Sequence, residues 1–113
     1  MKVIIAGSRS ITNRQFVYNI IENSGFDITE VISGNANGVD KLGEQWAVEH
    51  GIKVTIFKPQ WDLFGKQAGS VRNTEMARHA EALIAVWDGK SNGTRDMIRK
   101  ANMLNLLIYK EII

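Results

Sequence analysis

The chain contains no cysteine and only two histidines among its 113 residues. The absence of cysteine excludes disulfides, thiolate metal ligands and a cysteine nucleophile, and it suits a reducing cellular interior. His50 and His79 fall near predicted helix C-termini, where a cationic side chain complements the helix dipole. No metal-ligand spacing is present. We therefore predict no metal, no cofactor and a cytoplasmic location.

Long apolar runs and an excess of one charge are also missing. The N-terminal run at residues 3–6 is far too short for a signal peptide or a membrane span. The formal net charge is +2, from 14 Lys and Arg against 12 Asp and Glu, so the overall balance does not indicate a nucleic-acid or membrane surface. A composition of 44% hydrophobic and 23% charged residues is typical of a globular protein. We predict a single domain over residues 1–113 without membrane association.

Apolar stretches of strand length alternate with segments of helical periodicity along the chain. The predicted strands are residues 2–6, 30–33, 52–57, 83–87 and 106–110. The predicted helices are residues 12–24, 37–50, 71–80 and 94–105, with Thr12 and Asn37 as N-terminal caps and a loop at residues 59–68. This alternation predicts a small Rossmann-like α/β domain, whose five-stranded parallel sheet is flanked by helices on both faces.

Three Gly/Ser/Asn-rich turns each follow a predicted strand and lead into a predicted helix: GSRS at residues 7–10, GNANG at 34–38 and DGKSNGT at 88–94. The first N–H groups of a helix lack intrahelical partners and carry partial positive charge, so such turns suit anions. All three turns would meet at the carboxyl edge of the sheet, where ligands of such folds bind. The pattern therefore predicts a phosphate-bearing ligand.

The turns also supply the side chains that we predict to contact this ligand. Arginine suits bidentate contact with phosphate, and small residues let a ligand approach the backbone. The predicted ligand-binding residues of the three turns are Gly7, Ser8, Arg9, Ser10, Ser33, Gly34, Asn35, Ser91, Asn92, Gly93 and Thr94. For Asn37 and Asp40 two interpretations stay open, capping of the second helix or contact with the ligand.

Aromatic and cationic side chains mix in the segment at residues 59–73, a combination suited to a base and a phosphate. Arg72 and Asn73, at the start of a predicted helix, are its best candidates for ligand contact. Trp61 is predicted to pack rather than to stack on a base, and Trp46 and Trp87 are assigned to the core.

These segments together resemble the SLOG superfamily, most closely its small YspA-like, cpYpsA-related members found in bacteria and their phages. The resemblance covers nearly the whole chain, through GSRS, SGNANGVDKLGEQWA, residues 59–61, AGSVRNTEMA and DGKSNGT. The superfamily includes cytokinin-activating LOG-type phosphoribohydrolases, the DNA-processing protein DprA and sensor domains proposed to bind nucleotide-derived signals. The resemblance implies a nucleotide-type ligand and, because family members commonly pair through helices flanking the site, a homodimer or higher homo-oligomer.

An enzymatic alternative follows from the same resemblance. In the phosphoribohydrolases, an Arg in an RKxEMA segment and a Glu in a GGxGTxxE segment carry the site. RNTEMA reproduces much of the first segment, with Asn73 in place of its Lys, whereas Met97 stands where the second segment has its Glu. A chain that cleaved the N-glycosidic bond of a nucleoside 5′-monophosphate would hold the phosphate side with Arg72 and take its carboxylate from Asp96 or Glu75.

A second alternative is single-stranded nucleic-acid binding, because SGNANGVD is similar to the SGxAxGxD pattern of DprA. Such binding needs a basic groove with several stacking aromatics. Because the overall charge is nearly neutral, we favour single-stranded nucleic acid less than a nucleotide as the partner. The leading prediction is a module that binds a nucleotide or a nucleotide-derived ligand.

Overall fold

A single parallel sheet forms the centre of the molecule. The computed structural model describes residues 1–113, and its strands are β1 (Lys2–Gly7), β2 (Glu30–Ser33), β3 (Lys53–Ile56), β4 (Ala82–Trp87) and β5 (Leu107–Ile112). They pair in parallel in the order β3-β2-β1-β4-β5. The chain winds outward from β1 in one direction, returns to β4 on the other side of β1, and continues to β5. The reversal of winding therefore falls between β1 and β4.

Four longer helices cover the sheet on both faces. The helices are α1 (Arg14–Asn23), α2 (Val39–Glu49), the one-turn α3 (Trp61–Phe64), α4 (Ala68–His79) and α5 (Asn92–Met103), with a 3₁₀ turn at Gly65–Gln67. Helices α1 and α2 pack on one face, and α4 and α5 pack on the other. This arrangement confirms the predicted Rossmann-like α/β domain.

The two central strands are apolar along their length because both of their faces are buried. In β1, Val3 and Ile5 join the core beneath α1 and α2, and Ile4 joins the core beneath α4 and α5. In β4, Ile84 likewise joins the core beneath α1 and α2, and Leu83 joins the core beneath α4 and α5. The outer strands β3 and β5 are partly exposed. The buried strands β1 and β4 thus end side by side.

Two predicted helix caps were wrong. Asn13, not Thr12, caps α1, and its side-chain oxygen accepts a hydrogen bond of 3.0 Å from the amide of Phe16. Residues 11–13 therefore separate the first turn from α1, so this turn does not open directly into a helix. Asn37 is exposed and precedes the true N-cap of α2, Gly38, which makes no side-chain capping bond.

The segment predicted as a loop at residues 59–68 contains α3 and the 3₁₀ turn, and α4 begins at Ala68. Trp61 is 57% exposed, which contradicts its predicted packing. Trp46 is buried in the core as predicted, and Trp87 is partly buried against the core beneath α4 and α5. None of the helices is long and apolar enough to cross a membrane.

Candidate functional site

The three turns are packed together at the carboxyl ends of β1 and β4. A Cβ at Gly7 would lie 2.1 Å from the carbonyl oxygen of Val86, and one at Gly38 would lie 2.5 Å from the carbonyl oxygen of Ser8. The hydroxyl of Ser8 also accepts a hydrogen bond of 3.0 Å from the amide of Asp88. Glycine at positions 7 and 38 allows these close approaches, and Gly38 in addition has a φ of +79°.

These turns enclose a polar cavity of about 240 Å³, which we call the inner cavity. It lies beyond the ends of β1 and β4, at the point where the winding reverses and where open α/β sheets bind their ligands. Its lining consists of Ala6, Gly7, Arg9, Ala36, Asp40, Arg72, Asn73, Met76, Ser91, Gly93, Thr94 and Met97.

A second compartment of about 540 Å³, the outer groove, adjoins the inner cavity. The two compartments share Arg9, Ala36, Arg72, Asn73 and Gly93. The remaining lining of the outer groove is Gly34, Asn35, Pro59, Trp61, Gly69, Ser70, Asn92 and Asp96. The two adjacent compartments, which we together call the cleft, are lined by residues from both halves of the sheet.

Arg72 lies between the two compartments and is held in a fixed orientation. Its guanidinium donates hydrogen bonds to the carbonyl oxygen of Gly34 (2.8 Å) and to the side-chain oxygen of Asn73 (3.1 Å). Gly34 is needed for this contact, because a Cβ there would lie 2.7 Å from a guanidinium nitrogen. Burial lowers the pKa of Arg72, while the nearby Asp40 carboxylate acts in the opposite direction. The cation is therefore partly desolvated and positioned before any ligand binds.

Asp40 is the buried carboxyl of the inner cavity, with 5% of its surface exposed. It accepts hydrogen bonds from the amides of Gly7 (3.4 Å) and Ala36 (3.3 Å). Burial raises the pKa of Asp40 to about 6, although the Ala36 amide, Arg72 and the Gly7 amide each lower it. Of the two interpretations that the sequence left open, this geometry places Asp40 in the cavity lining rather than at the helix cap.

Asn73 and Asp96 form a polar bridge between α4 and α5. The Asn73 amide nitrogen donates to an Asp96 carboxylate oxygen (3.0 Å) and to the carbonyl oxygen of Gly93 (3.3 Å). Arg99 and Lys100 also contact the Asp96 carboxylate, at 2.8 Å and 3.1 Å. Burial alone would raise the pKa of Asp96, but the hydrogen bonds from Arg99, Asn73 and Lys100 outweigh it and lower the pKa. Asp96 is thus ionised and already well paired.

The first turn of α5 has free amide groups and forms part of the cavity wall. One carboxylate oxygen of Asp88 accepts the amides of Lys90 and Ser91, each at 2.8 Å, and so fixes the turn before the helix. The next amides, those of Asn92, Gly93 and Thr94, donate to no protein acceptor. Because the positive end of the helix dipole is at the same point, this turn suits an anion.

The structure brings most of the predicted site residues into this cleft. Those that line it are Gly7, Arg9, Gly34, Asn35, Arg72, Asn73, Ser91, Asn92, Gly93, Thr94 and Asp96. Four others do not line it: Ser8 and Ser33 are buried and bonded to protein, and Ser10 and Glu75 are exposed. The Ser33 hydroxyl donates to the Glu44 carboxylate (2.6 Å) and accepts the Asn35 amide (3.1 Å), so it supports the turn rather than facing the cleft.

Nine lining residues were not among the predicted catalytic or ligand-binding residues: Ala6, Ala36, Asp40, Pro59, Trp61, Gly69, Ser70, Met76 and Met97. Met76 belongs to a helical apolar face that reads as ordinary core, and Ala36 carries no functional side chain. Trp61 had a usable signal, because the segment around it, KPQWDLFGKQ, continues neither a helical nor a strand-like apolar pattern. Met97 lines the inner cavity at the position where the phosphoribohydrolase pattern has its carboxylate.

A parallel sheet with a polar cleft at its winding reversal defines a Rossmann-like domain. The chain belongs to the YspA, cpYpsA-related SLOG family (YAcAr), whose model matches residues 1–64. It is also 34% identical over 110 residues to the Gene 61 protein of Mycobacterium phage D29, a match that covers 88% of this chain and 87% of that protein.

The structure is similar to DNA processing protein A (DprA) from Streptococcus pneumoniae, with a TM-score of 0.78 at 18% sequence identity. The match covers 96% of this chain and 49% of the DprA chain, so the chain spans about half the length of that protein. At this level of identity the likeness shows the fold.

Proposed function

We propose that this domain binds a nucleotide or a nucleotide-derived ligand in the cleft formed by the inner cavity and the outer groove. The observation that carries the proposal is the convergence of Arg9, Arg72 and the free amides at the start of α5 on one cavity. Membership of the SLOG family and the DprA-like fold support a function related to nucleotides or nucleic acids.

The phosphate end of the ligand is proposed to lie at the first turn of α5. There it receives hydrogen bonds from the amides of Gly93 and Thr94 and charge from Arg72, whose guanidinium can contact an oxyanion through two nitrogens. Arg72 lines the same cavity as Gly93 and Thr94, and its bonds to Gly34 and Asn73 already orient the guanidinium.

The sugar is proposed to lie against Asp40. A carboxylate accepts hydrogen bonds from sugar hydroxyls but repels phosphate, so Asp40 favours a single polar orientation of the ligand within the inner cavity. Hydroxyl groups that approach Asp40 also replace part of the solvation that the buried carboxyl has lost. The carboxyl and the guanidinium therefore divide the cavity into a sugar side and a phosphate side.

The proposal is tested by incubating the purified protein with nucleoside monophosphates, nucleoside triphosphates and NAD-derived nucleotides, and by following retained ligand and released base with mass spectrometry. A nucleotide retained intact by the wild-type chain and lost in Arg72→Ala supports the proposal. If no phosphate-bearing compound of the panel is retained or consumed, the proposed function is wrong.

A second candidate, hydrolysis of the N-glycosidic bond of a nucleoside 5′-monophosphate, is favoured by one observation. Asp40 is a buried carboxyl with a pKa raised to about 6 beside an arginine, and such a group can exchange protons near neutral pH. Asp96 fits this role less well because Asn73, Arg99 and Lys100 hold its carboxylate. Glu75 is exposed and lines neither compartment.

Release of free base in the same experiment distinguishes hydrolysis from binding alone. Asp40→Asn and Asp96→Asn each keep the size of the side chain and remove its charge. Loss of base release in one of them, with the ligand still retained, identifies the carboxylate that acts. Unchanged base release in both variants contradicts a carboxylate mechanism at this site.

A further inference from the structure

Trp61 is the one large aromatic side chain that lines the cleft, and its exposed fraction of 57% is unusual for tryptophan. The helix that carries it, α3, buries none of its four residues. The indole therefore contributes little to the core, and its position is not explained by packing within the domain.

The outer groove gives the indole a clear relation to the inner cavity. Trp61 and Pro59 lie on the β3 side of the groove, and Asn92 and Gly93 lie on the α5 side. Arg72 borders both compartments. The outer groove therefore offers space into which a ligand can extend when its phosphate is at the start of α5 and its sugar is beside Asp40.

The two compartments share their arginines, and each has one characteristic group. The inner cavity alone contains the buried Asp40 carboxyl, which together with the shared cations and the first amides of α5 matches a sugar phosphate. The outer groove offers an aromatic face together with backbone and amide groups at Gly34 and Asn35, which match a flat heterocycle with polar edges.

We propose that Trp61 is the base-binding residue of this site, and that it stacks on the nucleobase of a ligand whose sugar phosphate occupies the inner cavity. This inference rests on the proposed function and assigns the two ends of the ligand to separate compartments. Stacking on an aromatic side chain is tolerant of base identity, so Trp61 provides affinity for any base, and selection among bases falls to the polar groups of the groove.

The test compares AMP, GMP, CMP and UMP with ribose 5-phosphate, which lacks the base, by isothermal titration calorimetry. Wild-type protein is compared with Trp61→Ala, Trp61→Phe and Leu63→Ala. The last variant is the matched control, because Leu63 is also exposed on α3 (70%) but does not line the cleft. Thermal unfolding of each variant checks that the fold is kept, which we expect because α3 buries none of its residues.

We expect Trp61→Ala to lower the affinity for the best-bound mononucleotide by at least about fivefold and to leave the affinity for ribose 5-phosphate unchanged. Trp61→Phe should have an intermediate affinity for the mononucleotide, and Leu63→Ala should bind like wild type. Quenching of tryptophan fluorescence by the mononucleotide in wild-type protein, lost in Trp61→Ala, is the expected spectroscopic signature.

Two outcomes overturn the inference and leave the proposed function in place. In one, Trp61→Ala weakens the binding of mononucleotides and of ribose 5-phosphate equally, or it weakens the binding of neither. In the other, Trp61→Ala and Leu63→Ala both dissociate an oligomer, which makes α3 an interface between copies of the chain. Failure of the wild-type protein to bind any of the five compounds would instead contradict the proposed function for mononucleotides.

Discussion

At the scale of single residues, Arg72 connects the two halves of the cleft. It bonds to Gly34 after β2 and to Asn73 on its own helix, and it lies close to Asp40. The sequence identified Arg72 from its RNTEMA segment. The contact with Gly34 could not be predicted, because it joins residues 38 positions apart through a carbonyl group that has no sequence signature.

We expect Arg72→Ala to weaken the binding of a phosphate-bearing ligand by at least about tenfold, since a hydrogen bond to a charged group contributes about 1.5–3 kcal/mol. Calorimetry with the nucleotide that wild-type protein retains measures this change. Arg78→Ala, which removes an exposed cation from the same helix, is the control and should bind normally. Equal losses in both variants would indicate a general charge effect rather than a contact.

Asp40 gives the protein a predictable dependence of stability on pH. Its pKa in the folded chain is about 6, against an ordinary value of 3.8, so the folded chain retains this proton to a higher pH than the unfolded chain does. The contribution of Asp40 to the free energy of unfolding therefore falls as pH rises from about 4 to about 6, by about 2–3 kcal/mol in total.

Urea unfolding of wild-type protein and Asp40→Asn over pH 4–7.5 measures this contribution as the difference between their free energies of unfolding. The contributions of the other carboxyl groups, which both proteins share, cancel in this difference. The stability of Asp40→Asn relative to wild type should increase through the window and become constant above about pH 7. A difference that does not vary with pH would show that the pKa of Asp40 is not raised.

At the scale of elements, the start of α5 combines a helix terminus with a wall of the cleft. A Cβ added at Gly93 would meet no atom within 4 Å, so it would project into open space. Since alanine favours helix over glycine by up to about 1 kcal/mol, Gly93→Ala should be as stable as wild type or more stable, yet bind a nucleotide more weakly because the methyl group occupies the phosphate position.

Unfolding and binding measurements on the same samples separate these two effects. Asn102→Ala, an exposed helix-favouring substitution near the other end of α5, should raise stability without changing affinity. Unchanged affinity in Gly93→Ala would place the ligand away from this turn.

The elements also show what local sequence could and could not reveal. Apolar runs identified all five strands and the four longer helices, because a parallel sheet buried on both faces imposes that pattern on the chain. The errors lie where tertiary contacts decide. Thr12 and Asn37 are plausible caps in isolation. In the structure, however, each N-cap lies one residue later, and the start of α2 is set by Gly38, where the second turn packs against the first. Trp61 was predicted to pack rather than to stack on a base, and the structure leaves it exposed beside the cleft.

At the scale of the whole molecule, a net charge of +2 and a localised anion site predict a weak dependence of ligand binding on salt. We expect the affinity for a mononucleotide to fall by less than about tenfold between 50 and 200 mM salt. Single-stranded nucleic acid held through six to ten phosphates would lose about 10³–10⁵ in affinity over that range. Titrations of a mononucleotide and of a 20-mer oligonucleotide at both salt concentrations test the two partners directly. A tight oligonucleotide complex whose affinity falls steeply with salt would favour nucleic-acid binding.

A homo-oligomer stays a prediction that rests on the family resemblance. Large apolar side chains are exposed from the end of α5 into the outer strand β5, at Met103, Leu104, Leu107 and Ile112. Sedimentation velocity should give a dimer or larger species that Leu107→Lys weakens. A monomer at all concentrations would contradict the prediction.

The hydrogen bond between the Ser8 hydroxyl and the Asp88 amide joins residues 80 positions apart. During synthesis, β1 emerges from the ribosome before β4, so the two strands can pair only after residues 82–87 have also been made. The remaining wall of the cleft, α5, comes later still. A ligand that needs all of these parts can therefore recognise only the finished fold, and its binding would protect completed molecules from proteolysis while partly made or partly unfolded chains remain susceptible.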